Sequence, residues 1–185
     1  ASRRMGADKA RLEVDGAPMA RRVADALRAG GATSVVLVGG DPDLAALTGL
    51  AVQPDRWPGE GPLAGIASAL LRLGEGDPGA VVLVAACDQP DLAPELVVRL
   101  VDALVAAGGA TGVAVPRTVD GRRQPFPAAW RATVAPIVAG LVAEGERRAD
   151  AAFDAVGVVE VPARASELAD LDAPEDLARR RMGDP

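Results

Sequence analysis

The chain has 185 residues, a formal net charge of −6 and no histidine. An acidic balance argues against a general nucleic-acid binder, and the lack of histidine excludes His-based catalytic triads and His-ligated zinc. No apolar run reaches the roughly 18 residues that a membrane-spanning helix needs, and a single cysteine cannot form an internal disulfide, so we expect one cytoplasmic domain.

Apolar runs alternate with helix-type segments along the chain. Helices are predicted at 18–29, 41–47, 62–73, 94–107, 133–143 and from 173 onward, and strands at 34–38, 51–54, 80–86, 112–115 and 156–161. This alternation indicates an α/β fold with a mostly parallel sheet, in which the run AVVLVAA at 80–86 has the strongest burial signal. Ligands bind beyond the carboxyl ends of such strands, so the loops after Val38, Gln53 and Ala86 are the first candidates for a site.

Two glycine-containing segments have the composition of phosphate or nucleotide loops. In 1–9 (ASRRMGADK), backbone N–H groups, Arg4 and Lys9 could surround a triphosphate, although a basic terminus without a ligand is the alternative. In 55–65 (DRWPGEGPLAG), glycines and prolines let the loop lie close to a flat ligand, with Asp55 as an acceptor. The alternative for this segment is an ordinary turn from a strand to a helix.

Two further segments carry carboxylates at the end of a predicted strand or the start of a predicted helix. Asp88 follows the AVVLVAA strand in the sequence CDQP, where a carboxylate suits a hard cation such as Mg²⁺ that keeps water and phosphate as its other ligands. Its alternative role is to cap the next turn. The segment DLDAPEDL at 170–177 reads as a helix-capping box with Asp172 as N-cap, and a cap can also face a pocket.

The opening ASRRMGADKARLEVDGAPM resembles the signature of molybdenum cofactor guanylyltransferases. Five later segments of this chain also resemble segments of that family, in the same order: WPGEGPLAGIASAL, VAACDQPDL, QPFPAAW, GERR and DLDAPEDL. The resemblance implies a three-layer α/β/α sandwich like that of nucleotide-diphospho-sugar transferases. It also implies GTP as donor, molybdopterin as acceptor, transfer of GMP with release of pyrophosphate, and Mg²⁺ or Mn²⁺ as the metal.

Matched by position, the resemblance also implies site residues. The catalytic residues would be Arg4, Lys9 and Asp88, and Asp88 would also bind the metal. The nucleotide would contact Ser2, Arg4, Gly6, Lys9, Asp55, Gly61, Leu63, Gly65 and Asp88. The acceptor would contact Gln124, Pro125, Arg147, Arg148, Asp170 and Asp172.

This chain differs from the family pattern at its start and at three later positions. In the family, a buried strand and two glycines precede the position of Ser2, so we expect the single domain 1–185 to be truncated at its N-terminus. Val38, Asp170 and Asp172 stand at positions where relatives carry asparagine.

Three other functions fit the same pattern. One is a cytidylyltransferase that makes the cytosine dinucleotide form of the same cofactor, but those relatives read Pro-Lys where this chain reads Asp8-Lys9, which favours guanine. The others are transfer to a different small phosphate and a non-catalytic nucleotide-binding domain. We expect a monomer with no nucleic-acid or membrane partner, and transient contacts with other molybdenum cofactor proteins.

Overall fold

The structure is a computed structural model that describes residues 9–168 and Leu171. Five of the predicted site residues lie outside the described residues, as does the predicted final helix; they are Ser2, Arg4, Gly6, Asp170 and Asp172.

Each helix and strand predicted within the described residues is present, together with one helix and three strands that were not predicted. The helices are α1 (Met19–Ala29), α2 (Leu44–Thr48), α3 (Pro62–Leu73), α4 (Pro94–Ala106), α5 (Ala135–Ala143) and α6 (Phe153–Val156). The strands are β1 (Glu13–Val14), β2 (Ala17–Pro18), β3 (Val36–Val38), β4 (Ala51–Gln53), β5 (Val81–Val84), β6 (Val113–Arg117), β7 (Ala128–Arg131) and β8 (Val158–Pro162). Prolines stand in the first turns of α3, α4 and α5, where a missing N–H costs nothing, and α3 spans the predicted range.

The described strands form three groups. β1 and β2 make an antiparallel hairpin, β3 and β4 pair in parallel, and a four-stranded sheet has the order β5-β7-β6-β8. β6 and β8 are parallel, whereas β7 lies antiparallel between β5 and β6. The sequence did not predict β7, because AAWR is short and alanine has low strand propensity. Its pairing on both edges, a tertiary effect, makes it a strand.

Helices cover both faces of the four-stranded sheet, which confirms the three-layer architecture. Side chains alternate along the strands, as the period of two requires. Val113, Val115 and Trp130 pack in one core with α3 and α5, whereas Ala114 and Ala129 pack in a second core with α1 and α4. No helix within the described ranges is long and apolar enough to cross a bilayer.

The most buried strands are β6 and β7, not β5. Residues 113–116 and 128–130 are buried, whereas Val82 is the only buried residue of β5, and β3 is partly exposed along its length. The expectation from the AVVLVAA run is therefore wrong in this respect. The reason is that, among the described strands, β5 pairs only with β7 and β3 only with β4, and the second edges of β3 and β5 both border one large cavity.

Candidate active site

A buried ion pair joins the first described residue to the end of β5. Lys9 begins a 3₁₀ turn (Lys9–Arg11), and its Nζ lies 3.3 Å from Oδ2 of Asp88. The Lys9 side chain is 8 % exposed and that of Asp88 is 25 % exposed. A buried ammonium group needs a counter-charge, so Asp88 accounts for the burial of Lys9, while its own exposure leaves the carboxylate accessible to a ligand.

The loops at the carboxyl ends of the strands meet at one cavity, as the sequence predicted. The cavity has a volume of about 1040 Å³ and runs along β3 and β5 to the loops that follow them. Of the predicted nucleotide residues, Lys9, Asp55, Gly65 and Asp88 line it. The glycine pair at 39–40, directly after β3, also lines it. Both glycines have positive φ angles, which let the backbone turn close to this space.

The carboxylate of Asp55 is held in place by its own loop and by α3. Oδ1 accepts hydrogen bonds from the Ser68 hydroxyl at 2.7 Å and from the Trp57 amide at 3.0 Å. The Ser68 oxygen in turn accepts the Arg56 amide at 2.9 Å. Ser68 is a buried positioning residue that the sequence analysis did not single out, although a lone hydroxyl in the apolar helix PLAGIASALL was a usable signal.

The loop that contains Gly61 and Leu63 is fixed against Arg147. The Leu63 amide donates to the Arg147 carbonyl at 3.2 Å, and a Cβ on Gly61, which has φ +87°, would lie 3.0 Å from the same oxygen. The Arg147 guanidinium donates to the Val142 and Glu146 carbonyls, each at 2.9 Å, and pairs with Glu60. Arg147 therefore stabilises the turn before α3, and the Leu63 side chain is part of the core.

Arg148 borders a second, polar cavity of about 590 Å³. Its guanidinium donates to both carboxylate oxygens of Asp150, at 3.1 and 2.6 Å. This pairing raises the pKa of Arg148 and lowers that of Asp150. Arg117 and Arg123, which both pair with Glu160, line the same cavity. The structure thus separates Arg148 from Lys9 and Asp88, which line the first cavity.

Gln89 connects the Asp88 loop to the predicted acceptor segment. The Gln89 side chain is buried, and its Nε2 donates to the Phe126 carbonyl at 3.3 Å. Phe126 directly follows Gln124 and Pro125, and the Gln124 amide donates to the Pro116 carbonyl at 2.9 Å. No role for Gln89 is predicted from the sequence. Its position next to Asp88 was the only sequence signal.

Asp88 is the described carboxylate best placed to bind a metal ion. Within residues 9–168 and Leu171, no group of three or more Cys, Asp or Glu side chains converges on one point. A cation at Asp88 would therefore take its other ligands from water, from phosphate or from outside the described residues. Such a donor set suits Mg²⁺, which binds proteins through one or two carboxylates plus substrate phosphates.

Comparisons with known proteins identify the family of the chain. Residues 1–159 match the model of the MobA-like NTP transferase domain. The molybdenum cofactor guanylyltransferase of Rhodobacter capsulatus is 35 % identical over 181 residues, which cover 96 % of this chain and 88 % of that protein. A probable molybdenum cofactor guanylyltransferase of Pelotomaculum thermopropionicum is 46 % identical over 51 % of this chain, and the alignment spans 44 % of that protein.

A solved structure supports the same fold. The molybdopterin-guanine dinucleotide biosynthesis protein A of Archaeoglobus fulgidus superposes with a TM-score of 0.76 at 22 % identity, over 96 % of this chain and 90 % of that one. The resemblance noted from the motifs is confirmed by these matches. The chain belongs to the MobA-like NTP transferase family, and it is a nucleotidyltransferase related to the molybdenum cofactor guanylyltransferases.

Proposed function

We propose that this protein transfers GMP from GTP to the phosphate of molybdopterin, releasing pyrophosphate and forming the guanine dinucleotide cofactor. The observation that carries the proposal is the Lys9–Asp88 pair, which borders the same cavity as Asp55 and the glycine pair at 39–40, in a chain of this family. We choose a guanine nucleotide and the molybdenum cofactor because relatives such as the Rhodobacter capsulatus protein are molybdenum cofactor guanylyltransferases.

In this proposal Asp88 holds Mg²⁺, or Mn²⁺ in its place. The carboxylate is partly exposed, and its Oδ2 has an ammonium group at 3.3 Å, so the local charge can accommodate a cation together with a polyanion. When bound, the ion supplies positive charge that offsets the repulsion between the two phosphate-bearing substrates. Lys9, with Arg4 from the opening signature, donates hydrogen bonds to the phosphates and stabilises the charge that develops on them.

The reaction requires no protein base. A phosphate monoester has a second pKa near 6, so at pH 7 most of the acceptor is already a dianion. One of its oxygens attacks the α-phosphorus of GTP, the bond from that phosphorus to the bridging oxygen of the β-phosphate breaks, and pyrophosphate leaves with the electron pair. The protein's task is to hold the two reactants in line. The lack of histidine is compatible with this chemistry.

We assign the guanine base to Asp55 and the loop that follows it. Guanine presents N1–H and N2–H₂ donors that suit a carboxylate, whereas the corresponding edge of cytosine does not. The bonds from Ser68 and Trp57 to Oδ1 orient the Asp55 carboxylate, so that Oδ2 can accept from the base. Glycines at 61 and 65 allow the loop to approach the base and ribose.

We assign the acceptor to the side of Asp88 where Gln124 and Pro125 lie, because the Gln89–Phe126 bond holds that segment against the Asp88 loop. Leu171, which lies between Asp170 and Asp172 in the sequence, donates its amide to the Asp88 carbonyl at 2.8 Å and supports the same side. Of the two predicted arginines, Arg147 is engaged by Glu60 and two carbonyls. Arg148 is engaged by Asp150 at the separate polar cavity, so the assignment of the acceptor rests on Gln124 and Pro125.

Titration calorimetry is expected to show that GTP binds at least about tenfold more tightly than CTP or ATP, because a buried polar group left unpaired by the wrong base discriminates strongly. Asp55→Asn replaces a carboxylate acceptor with an amide of the same size, so this variant should lose most of the preference for GTP. Asp77→Asn is the matched control, since Asp77 also lines the cavity and also caps a turn, through a bond from the Gly79 amide at 3.0 Å.

Measurement of the nucleotidyl-transfer reaction itself completes the test of the proposal. GTP and molybdopterin together should give pyrophosphate and the guanine dinucleotide, whereas CTP should give little product. Equal or reversed affinities for GTP and CTP would move the assignment to the cytidylyl relatives. Pyrophosphate release with GTP and a different small phosphate, but not with molybdopterin, would contradict the acceptor.

A further inference from the structure

A residue far along the chain contacts the backbone of Asp88. The Leu171 amide donates to the Asp88 carbonyl at 2.8 Å. The Leu171 side chain is 7 % exposed and packs with Val14 and Met19, with Leu12 against the same cluster. This cluster is separate from the two cores that cover the sheet. Leu171 is therefore held by the hairpin and the start of α1, and its backbone in turn restrains Asp88.

The direction of the Asp88 carbonyl matters for its side chain. The carbonyl direction is set by the ψ angle of Asp88, and fixing this angle restricts where the Cα–Cβ bond, and so the carboxylate, can point. The Lys9 ammonium group contacts the Asp88 carboxylate itself at 3.3 Å, and the remaining side-chain bonds of this loop involve the neighbours of Asp88. Gln89 binds Phe126, and the Arg22 guanidinium donates to the Pro90 carbonyl at 3.3 Å. The bond from Leu171 thus acts on the residue whose carboxylate is proposed to bind the metal.

We propose that Leu171 is a positioning residue, which holds the Asp88 carboxylate in its metal-binding orientation through the bond to the Asp88 carbonyl. The inference rests on the proposed role of Asp88 in the preceding subsection. Partners that orient a ligand residue commonly change metal affinity 10- to 100-fold when they are altered, although they never touch the metal. The apolar side chain of Leu171 serves as the anchor, and its backbone makes the orienting contact.

Leu171→Ala tests this inference, with Val14→Ala as the matched control. Both substitutions remove methyl groups from the same cluster, but Val14 makes no described bond to Asp88. We expect both variants to melt at a somewhat lower temperature. Only Leu171→Ala should weaken Mn²⁺ binding in the presence of GTP, by about tenfold, as measured by electron paramagnetic resonance.

A kinetic measurement adds a second readout. For Leu171→Ala, the Mg²⁺ concentration that gives half-maximal pyrophosphate release should rise about tenfold, while the rate at saturating Mg²⁺ changes less than threefold. Leu171→Met, which keeps an apolar anchor of similar size, should restore the wild-type Mg²⁺ requirement.

Two results would overturn the inference while leaving the metal role of Asp88 intact. One is an equal loss of Mn²⁺ affinity in Val14→Ala, which would reduce Leu171 to a packing role. The other is unchanged Mn²⁺ affinity in Leu171→Ala while Asp88→Asn abolishes binding. If Asp88→Asn also leaves Mn²⁺ binding unchanged, the metal role of Asp88 itself is refuted and the inference falls with it.

Discussion

Asp88→Asn is expected to lower GTP-dependent pyrophosphate release at least about 100-fold, the scale on which loss of a key transition-state contact acts. The side chain is 25 % exposed and follows β5 in a loop held by bonds to Gln89, Pro90 and the Asp88 carbonyl, so its replacement by an isosteric amide should leave the fold intact. An amide is a poorer ligand for a hard cation than a carboxylate, so the loss should appear in the Mg²⁺-dependent rate.

The matched control for this prediction is Asp91→Asn. Asp91 lies three residues further along the same loop and pairs with Arg22 at 3.6 Å. The Asp91→Asn variant should retain activity close to that of the wild type.

The Lys9→Met variant should also have a lower turnover. The Lys9→Met/Asp88→Asn double variant should lose much less activity than the product of the two single losses, because the effects of residues that act as a unit are not additive. Near-normal Mg²⁺-dependent activity in Asp88→Asn would remove Asp88 from the site.

The second large effect is a rise in thermal stability, which we expect when a further strand pairs with the edges of β3 and β5 that face the large cavity. The large cavity is lined by consecutive residues of both strands, Val35–Val38 and Ala80–Ala86. Because successive side chains of a strand point to opposite faces, a cavity lined by consecutive residues lies at the strand edge, where N–H and C=O groups are available for pairing. Residues of α3 line the cavity from one side, and residues of α1 and α4 from the other.

The two edges run in the same direction. Leu37 of β3 and Cys87, just after β5, pack against the same small cluster around Ala10 and Leu44, so the carboxyl ends of both strands lie together. We propose that the space between them accommodates an extended apolar strand that runs parallel to β3 and β5. Such a strand would join the two described parallel-containing sheets into one, with its carboxyl end near Lys9.

An N-terminal extension tests this proposal. A stretch of Val, Ile, Leu and Ala residues followed by Gly-Gly should raise the melting temperature of the 185-residue chain by at least about 10 °C. Each buried aliphatic side chain contributes about 1.5–3 kcal/mol before entropy costs, and a net gain of about 4 kcal/mol shifts the melting temperature of a domain this size by roughly 10 °C. GTP binding should tighten, and the amides of Val36–Val38 and Val81–Val84 should gain protection from hydrogen exchange.

An extension of equal length with a proline at its centre is the control, since proline cannot donate to a ladder and breaks a central strand. Equal stabilisation by both extensions would exclude strand pairing. If the apolar extension leaves the hydrogen-exchange protection of the β3 and β5 amides unchanged, the proposed position of the added strand is contradicted. The effect on melting should persist in Asp88→Asn, which separates this test from the test of catalysis.

Local sequence patterns determined most of the helices and strands and their order, but not β1, β2, β7 and α6. Continuous apolar runs marked β3, β4, β5, β6 and β8, and prolines marked the starts of α3 and α4, because first-turn geometry and burial are local properties. The motifs also identified the family and pointed to Lys9, Asp55 and Asp88, three of the residues that border the large cavity.

Only the tertiary structure decided which strands pair, how deeply each strand is buried and which distant residues contact the site. β7 became a strand because two neighbours pair with it, and the AVVLVAA strand is only partly buried because one of its edges borders the cavity. Ser68, Gln89 and Leu171 contact the site from 13, 37 and 83 residues away from their partners, Asp55, Phe126 and Asp88, counted from the residue numbers. No local pattern encodes such contacts, because they depend on packing that brings distant segments together.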